Sequence, residues 1–338
     1  MPVNADGNLY IYLLNVGQAD TSIIVTPEGH LIVVDGKNPG KVVDLLSKIG
    51  LQKSESIDEL IVTHPHRDHF SGVSRLLNDY KVSHVKLPPF WNSFGMGPPQ
   101  YQQIVNRIAE SKIPVQFVSG YSRIYPDGAT VSVEKTGAKV DPDALYLELL
   151  GPPNYLLEAL EESDELDGNH LSIMTRVSWK KLRMVIAGDA QMENWSYYDQ
   201  EGMLEDKCYI LRTAHHGSCN GTQWERINRL KPMYTIVSAN PLKSHHLPDL
   251  VGTAIFAKYS LQESYWKKGA NNVVALTSET GTIKITIPAD GERSVEFFKD
   301  TEDNNVDLAN AQTLTWESNP TEWDKLLHKK AEEFYQPE

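Results

Sequence analysis

Short apolar runs separated by polar breaks set the pattern of the first part of the chain. Leu9 to Val16 (LYIYLLNV), Thr21 to Thr26 and His30 to Asp35 read as strands, the last two joined by the turn Pro27-Glu28-Gly29. Val42 to Ile49 has helical spacing and stops at Gly50. Glu59 to Val62 predicts a short strand ending at Thr63. Ser71 to Asn78 predicts a helix, Val82 to Leu87 a strand entering the Pro/Gly-rich loop Pro88 to Pro99, Tyr101 to Ser111 a helix and Val115 to Val118 a strand.

The same alternation continues. Ile124 to Val133 predicts a hairpin around Pro126-Asp127-Gly128, and Leu145 to Leu150 a strand halted by Gly151-Pro152-Pro153. Glu158 to Asp167 is an acidic loop or short helix. Strands follow at Leu171 to Ser178 and Arg183 to Ala187, a helix near Met192 to Glu201, and strands at Tyr209 to Thr213 and Tyr234 to Ser238. Asn272 to Thr277 and Gly281 to Ile287 are expected to form a hairpin. Strands and helices followed by strands and helices predict an α/β fold of two similar halves packed as a sandwich. The expected organisation is one domain over 1–300, then a polar linker and amphipathic helix over 301–338.

Composition narrows the class. The chain has 338 residues, 40% hydrophobic and 23% charged, ordinary for a globular protein. No apolar run reaches the roughly 20 residues of a membrane span. No basic segment followed by an apolar one marks a secretory signal. With only Cys208 and Cys219, a disulfide framework is not expected, and a reducing, cytoplasmic setting is. The net charge of −13 argues against a long duplex partner, but a small anionic substrate held by metals needs no basic footprint.

Candidate chemistry gathers at strand ends. His64, His66, Asp68 and His69 directly follow a predicted strand in Thr63-His64-Pro65-His66-Arg67-Asp68-His69. Crowding imidazoles and a carboxylate there brings no structural gain without a cation. Imidazole and carboxylate suit zinc, and also manganese or iron. Three further candidates follow: His170 after Gly168-Asn169, Asp189 after Ala187-Gly188, and the pair His215-His216 before Gly217-Ser218. A carboxylate such as Asp189 suits bridging two metals.

The order His-x-His-x-Asp-His, His, Gly-Asp, His-His-Gly resembles the metallo-β-lactamase superfamily from about Leu9 to about Pro248. Leu14-Asn15-Val16-Gly17-Gln18-Ala19-Asp20, Ala187-Gly188-Asp189 and Ala214-His215-His216-Gly217-Ser218 resemble the competence-protein (ComEC-like) hydrolase branch, whose membrane channel is not expected here. That resemblance implies a four-layer αββα sandwich and a two-metal site. One metal would be held by His64, His66 and His170, the other by Asp68, His69 and one of His215 and His216, with Asp189 bridging. His216 is the favoured ligand and His215 the favoured substrate contact or proton donor. Asp35 would orient a ligand loop, and Gln18 and Asp20 would line or brace the cleft. The branch's Gly-His-Pro element is matched loosely by Ser244-His245-His246-Leu247-Pro248.

The implied activity is hydrolysis by a metal-bridging hydroxide that Asp68 positions, with two divalent ions, zinc first. His215, and His246 or His245, would donate a proton or hold a phosphate oxygen, and Lys243 also suits a phosphodiester. A nucleotide or nucleic acid is therefore the expected substrate. The rivals are a carboxylic ester, lactone or thioester hydrolase and a metal-stabilised sensor or interaction module without turnover. The loop Phe90 to Gly97 reads as a flap or as a packed insertion. The helix Trp323 to Tyr335 reads as packing on its own domain, or as docking a protein partner or second copy.

Overall fold

A computed structural model describes residues 5–89, 99–125, 144–162, 167–180, 182–204, 207–241, 245–259, 273–290 and 293–313. The chain divides into two compact units, Met1–Phe117 with Thr277–Glu317, and Val118–Leu276 with Ser318–Glu338.

In the first unit the strands are β1 (Leu9–Leu13), β2 (Ser22–Val25), β3 (Leu31–Val34), β4 (Ser56–Ile61), β5 (Lys81–Leu87) and β6 (Val115–Phe117). In the second they are β7 (Tyr121–Tyr125), β8 (Tyr146–Leu150), β9 (Met174–Trp179), β10 (Leu182–Ile186), β11 (Ile210–Arg212), β12 (Tyr234–Val237) and β13 (Val273–Leu276). The first unit resumes with β14 (Ile283–Ile287), β15 (Ser294–Phe297) and β16 (Gln312–Thr313). Each unit has its own sheet: nine strands ordered β16-β15-β14-β1-β2-β3-β4-β5-β6, and seven ordered β13-β12-β11-β10-β9-β8-β7.

The first sheet begins as an antiparallel meander of β1, β2 and β3, then turns parallel from β3 through β6. Parallel neighbours need crossovers, and helices supply them. Helix α1 (Pro39–Lys48) starts where Asn38 accepts the Lys41 N–H and Pro39 takes the first turn. The four-residue turn α2 (Arg67–Phe70), then α3 (Val73–Asp79) and α4 (Pro99–Glu110), follow. Val42, Leu45 and Leu46 of α1, Val73 and Leu76 of α3, and Tyr101, Ile104 and Ile108 of α4 share one core with Ile23, Val25, Leu31 and Val33 of the sheet.

The second sheet repeats that order. β7 to β10 are antiparallel, and β10 to β13 are parallel. Its helices are α5 (Asn154–Glu162), α6 (Met192–Gln200), α7 (Trp224–Leu230) and α8 (Leu250–Tyr259). Trp195 and Tyr198 of α6 are buried with Leu211, Ile227 and Phe256. Tyr198 Oη bonds the carbonyls of Leu150 and Gly151 at 2.8 and 2.7 Å, fixing α6 to the end of β8. Two mixed sheets carrying helices match the expected α/β class.

Several expectations change. Val273–Leu276 and Ile283–Ile287 do not form a hairpin: β13 pairs with β12, β14 with β1, and the short helix α9 (Thr277–Thr280) lies between them. His170 does not open a strand but sits in a 3₁₀ turn, Gly168–Leu171, ahead of β9. Helices α7 and α8, and strands β15 and β16, add to the elements that the sequence pattern predicts. The loop Phe90 to Gly97, most of the 124–133 hairpin, Lys243 and the helix Trp323 to Tyr335 lie outside the described residues. Among the described residues no helix is long and apolar enough to cross a membrane.

Candidate metal centre

Parallel pairing of β3 and β4 aligns Val34 with Ile61, so both strands release their chains at one sheet edge. Asp35 leaves β3 in the left-handed region, φ 59°, and its N–H donates to Ile61 O at 2.8 Å. This turn aims its carboxylate at the loop leaving β4. Asp35 accepts the Thr63 N–H at 2.8 Å, the Thr63 hydroxyl at 2.8 Å and His69 Nδ1 at 2.7 Å. An ionised carboxylate only accepts, so His69 carries its proton on Nδ1 and keeps the Nε2 lone pair for a ligand. The Thr63 hydroxyl spends its proton on Asp35, which leaves an oxygen lone pair 3.2 Å from His64 Nδ1. His64 is thereby set in the same tautomer. The His64 ring lies 4.1 Å from that of His69 and 4.7 Å from that of His66, centroid to centroid. Asp68 and His69 present ligand atoms within 4.8 Å of one another.

The Asn15–Asp20 segment is pinned beside this cluster. Asp20 N–H reaches Asp68 O at 3.3 Å, and the Asp20, Asp35 and His69 ligand atoms lie within 4.8 Å of one another. Below it, Lys41 is buried in an ion pair with Asp300 and donates to Asn15 O and Thr301 O, both at 2.7 Å. Asp300 also accepts from Thr282 Oγ1 at 2.9 Å, and Asn15 Nδ2 donates to Asp300 O at 2.8 Å. Burial pulls the Lys41 ammonium below its ordinary range, while Asp300 pushes back. Gln18 is half-buried in the same segment.

In the second unit, strand direction again does the gathering. Ile186 of β10 pairs with Thr175 of antiparallel β9, so the turn before β9 and the turn after β10 share an edge. Parallel β11 and β12 end there as well. Asp189 is buried, and its N–H donates to Ser172 Oγ at 3.2 Å. His215, His216 and Gly217 occupy the left-handed region in succession, at φ 46°, 52° and 80°. His216 Nδ1 donates to Ser238 O at 2.9 Å, which leaves Nε2 as the lone-pair nitrogen, 3.6 Å from Asp189 Oδ2. His215 pairs Nδ1 with Asn220 Oδ1 at 2.8 Å and holds Nε2 4.0 Å from the same carboxylate. The two differ in exposure: the His216 side chain is 2% accessible and that of His215 21%.

His170 has two acidic neighbours. Nδ1 is 3.1 Å from the Asp167 N–H and 3.2 Å from the Asp167 carbonyl, and Nε2 is 3.3 Å from Glu193 Oε2. Burial depresses the imidazole pKa, Asp167 and Glu193 raise it, and the net direction is upward. Asn194, fully buried, donates to His170 O at 3.0 Å and accepts the Gln191 N–H at 3.0 Å, tying the His170 turn to the turn after Asp189. His246 is exposed, at φ 51°, with Nδ1 3.1 Å from Pro241 O. His245 is exposed too. Cys208 is buried, with burial pushing its thiol up to about 12, and both cysteines are free.

Each unit therefore brings its own expected residues together: His64, His66, Asp68, His69, Asp35 and Asp20 in the first, Asp189, His215 and His216 in the second. His170 is joined by carboxylates that the sequence pattern did not single out. Asp167-x-x-His170 is a helix-capping spacing and was the available signal. Thr63, Lys41, Asn194 and Asp300 carried none, because their partners are distant in sequence or lie in the backbone.

The chain is similar in sequence and in fold to several known proteins. ComE operon protein 3 of Bacillus subtilis is 22% identical over 239 residues, covering 70% of this chain and 27% of that protein. Hydroxyacylglutathione hydrolase of Aeromonas salmonicida is 37% identical over 64 residues, 19% of this chain and 23% of that protein. The chain thus spans about a quarter of the length of the curated relatives it matches. The solved structure of CmlA, a diiron beta-hydroxylase from Streptomyces venezuelae, is similar at 13% identity and a TM-score of 0.45, covering 74% of this chain and 51% of that one. The family model of the metallo-beta-lactamase superfamily matches residues 14–238. The chain belongs to the metallo-beta-lactamase superfamily.

Proposed function

We propose that this protein is a dinuclear metal-dependent phosphodiesterase or nuclease. The observation that carries the metal reading is the tautomer pattern. His64, His69 and His216 each engage Nδ1 within their own unit, with Thr63, Asp35 and Ser238 respectively, and so present Nε2. Hydrogen-bond partners of this kind accompany metal-ligating histidines and raise their basicity. The donor set of imidazoles and carboxylates fits zinc, manganese or iron. His64, His66 and His170 would hold one ion, Asp68, His69 and His216 the other, and Asp189 both. When bound, the ions supply Lewis acidity and an activated water.

The remaining residues do the rest. Asp68, at the start of α2, orients the attacking water through its carboxylate. His215, more exposed than His216 and held through Nδ1 by Asn220, protonates the leaving oxygen from Nε2 when its ring is the imidazolium and is left neutral with its proton on Nδ1. His246 lies on the surface and holds a phosphate oxygen of an extended substrate. A phosphodiester has more oxygens to hold than an ester or lactone, and His215 with His246 supplies groups beyond the ligand set. The partial match to hydroxyacylglutathione hydrolase favours, as a second reading, a carboxylic ester, lactone or thioester substrate.

Purified protein reconstituted with zinc or manganese is to be offered bis-p-nitrophenyl phosphate, single-stranded DNA, cyclic nucleotides and a panel of lactones and thioesters. Turnover of a phosphodiester is expected. Turnover confined to lactones or thioesters would establish the second reading instead. Full metal loading with no turnover anywhere would make the chain a binding or sensor module.

A further inference from the structure

We infer that Glu193 is an additional carboxylate ligand at the metal position of His170, and that it biases that position towards manganese or iron over zinc. The inference rests on the metal-site reading above.

Glu193 stands in the first turn of α6, and Oε2 lies 3.3 Å from His170 Nε2, the nitrogen a metal would take. A cation bound there would lie within ligand reach of that oxygen. The contact is more than a chance surface pair, because the same helical turn is fastened to the His170 turn at two other points. Asn194 Nδ2 donates to His170 O at 3.0 Å, and Gln191 Nε2 donates to Asp167 Oδ1 at 3.2 Å. Asn194 is buried, and its Oδ1 also accepts the Gln191 N–H at 3.0 Å. The backbone that carries Glu193 is therefore fixed relative to the imidazole. The Glu193 side chain itself is 49% accessible, open to an entering ion and to exchange.

Besides the charged ring, in which Nδ1 also meets Asp167 Oδ1 at 3.3 Å, two neutral hydrogen-bond arrangements are open to His170, and they have different consequences. If Nδ1 accepts the Asp167 N–H, the ring proton sits on Nε2 and points at Glu193. If Nδ1 donates to the Asp167 carbonyl, Nε2 is bare, and it and the carboxylate form a two-donor notch for a cation. Nδ1 is 3.1 Å from one partner and 3.2 Å from the other, so a small ring adjustment exchanges them. A cation selects the second arrangement. Adding an anionic oxygen to imidazole donors shifts preference towards metals that accept oxygen ligands, manganese and iron among them.

The test is equilibrium titration of the full-length apo protein with Mn2+ and, separately, Zn2+, for wild type, Glu193→Gln and Glu193→Asp. Wild type should bind both ions. Glu193→Gln should weaken Mn2+ binding by about tenfold or more and zinc binding by a smaller factor, the size range for removing groups that support a metal ligand. Glu193→Asp, which keeps the charge, should recover part of the loss. Glu193→Gln binding both ions as wild type does would overturn the assignment. Tighter binding of both would overturn it too, making Glu193 the acceptor of a competing proton. Wild type that binds neither ion would defeat the metal-site reading itself, and this inference with it.

Discussion

Replacing Asp35 by Asn tests how the His69 tautomer is set. The substitution is nearly isosteric, and Asn tolerates the left-handed backbone at φ 59°. Asp35 accepts on both oxygens: Thr63 N–H at 2.8 Å on Oδ1, Thr63 Oγ1 at 2.8 Å and His69 Nδ1 at 2.7 Å on Oδ2. An amide can satisfy only one side. With its nitrogen at the Oδ2 position, a donor faces His69 Nδ1–H and the Thr63 hydroxyl, and relief requires His69 to move its proton to Nε2. With its nitrogen at the Oδ1 position, it faces the Thr63 N–H. Either way a charge-assisted hydrogen bond is lost in a fully buried site, about 1.5–3 kcal/mol. If the loss falls on the ligand state of His69, metal affinity drops by about 10- to 100-fold, since 1.4 kcal/mol is a factor of ten. Competition against a chromophoric chelator measures the affinity, and thermal unfolding of the apo protein measures the stability. Asp35→Asn that melts like wild type and binds metal within about threefold of it would refute the tautomer argument.

Two further predictions concern buried charge. Burial lifts the Glu148 carboxyl, but Arg176 and Arg123 together with Tyr121 outweigh it and hold the pKa below its ordinary 4.5. Its stabilisation is present above that ordinary value and is lost as pH falls through the depressed one. Urea midpoints between pH 6 and pH 3 should therefore fall more steeply for wild type than for Glu148→Gln, and parallel curves would contradict this. In the first unit, Asp300→Ala strands the buried Lys41 ammonium and should cost about 3–5 kcal/mol in chemical unfolding. Lys41→Met combined with Asp300→Asn should recover much of that loss, and a double variant no better than Asp300→Ala would argue against a charge-based cost.

The chemistry was legible in the sequence where ligands crowd together and illegible where a partner is distant. Core packing gives no reason for four potential ligands between His64 and His69 directly after an apolar strand, whereas a cation does. The strand ends at Asp189 and His215 were visible for the same reason: an apolar run stops at a small residue and then a ligand. Glu193 was invisible because an acid in the first turn of a helix is ordinary there. Asp300 lies 259 residues from Lys41, so no local pattern links them. Helix α8 (LVGTAIFAKY) gives no sequence signal because it is almost wholly apolar and shows no amphipathic period. The false hairpin at 272–287 arises because two β-rich runs close in sequence look like partners, and only the sheet order separates them. The His170 turn reads as the start of a strand because a helical turn this short leaves no periodic signal.

Metal stoichiometry is the most direct measure of the dinuclear site, read by elemental analysis of protein reconstituted with zinc or manganese and freed of excess ion. Wild type should retain two ions per chain, as a two-metal hydrolase requires. Asp189→Ala and His66→Ala should each retain fewer and lose phosphodiester turnover. Full loading and full activity in either variant would contradict the ligand assignment on which the proposed function stands.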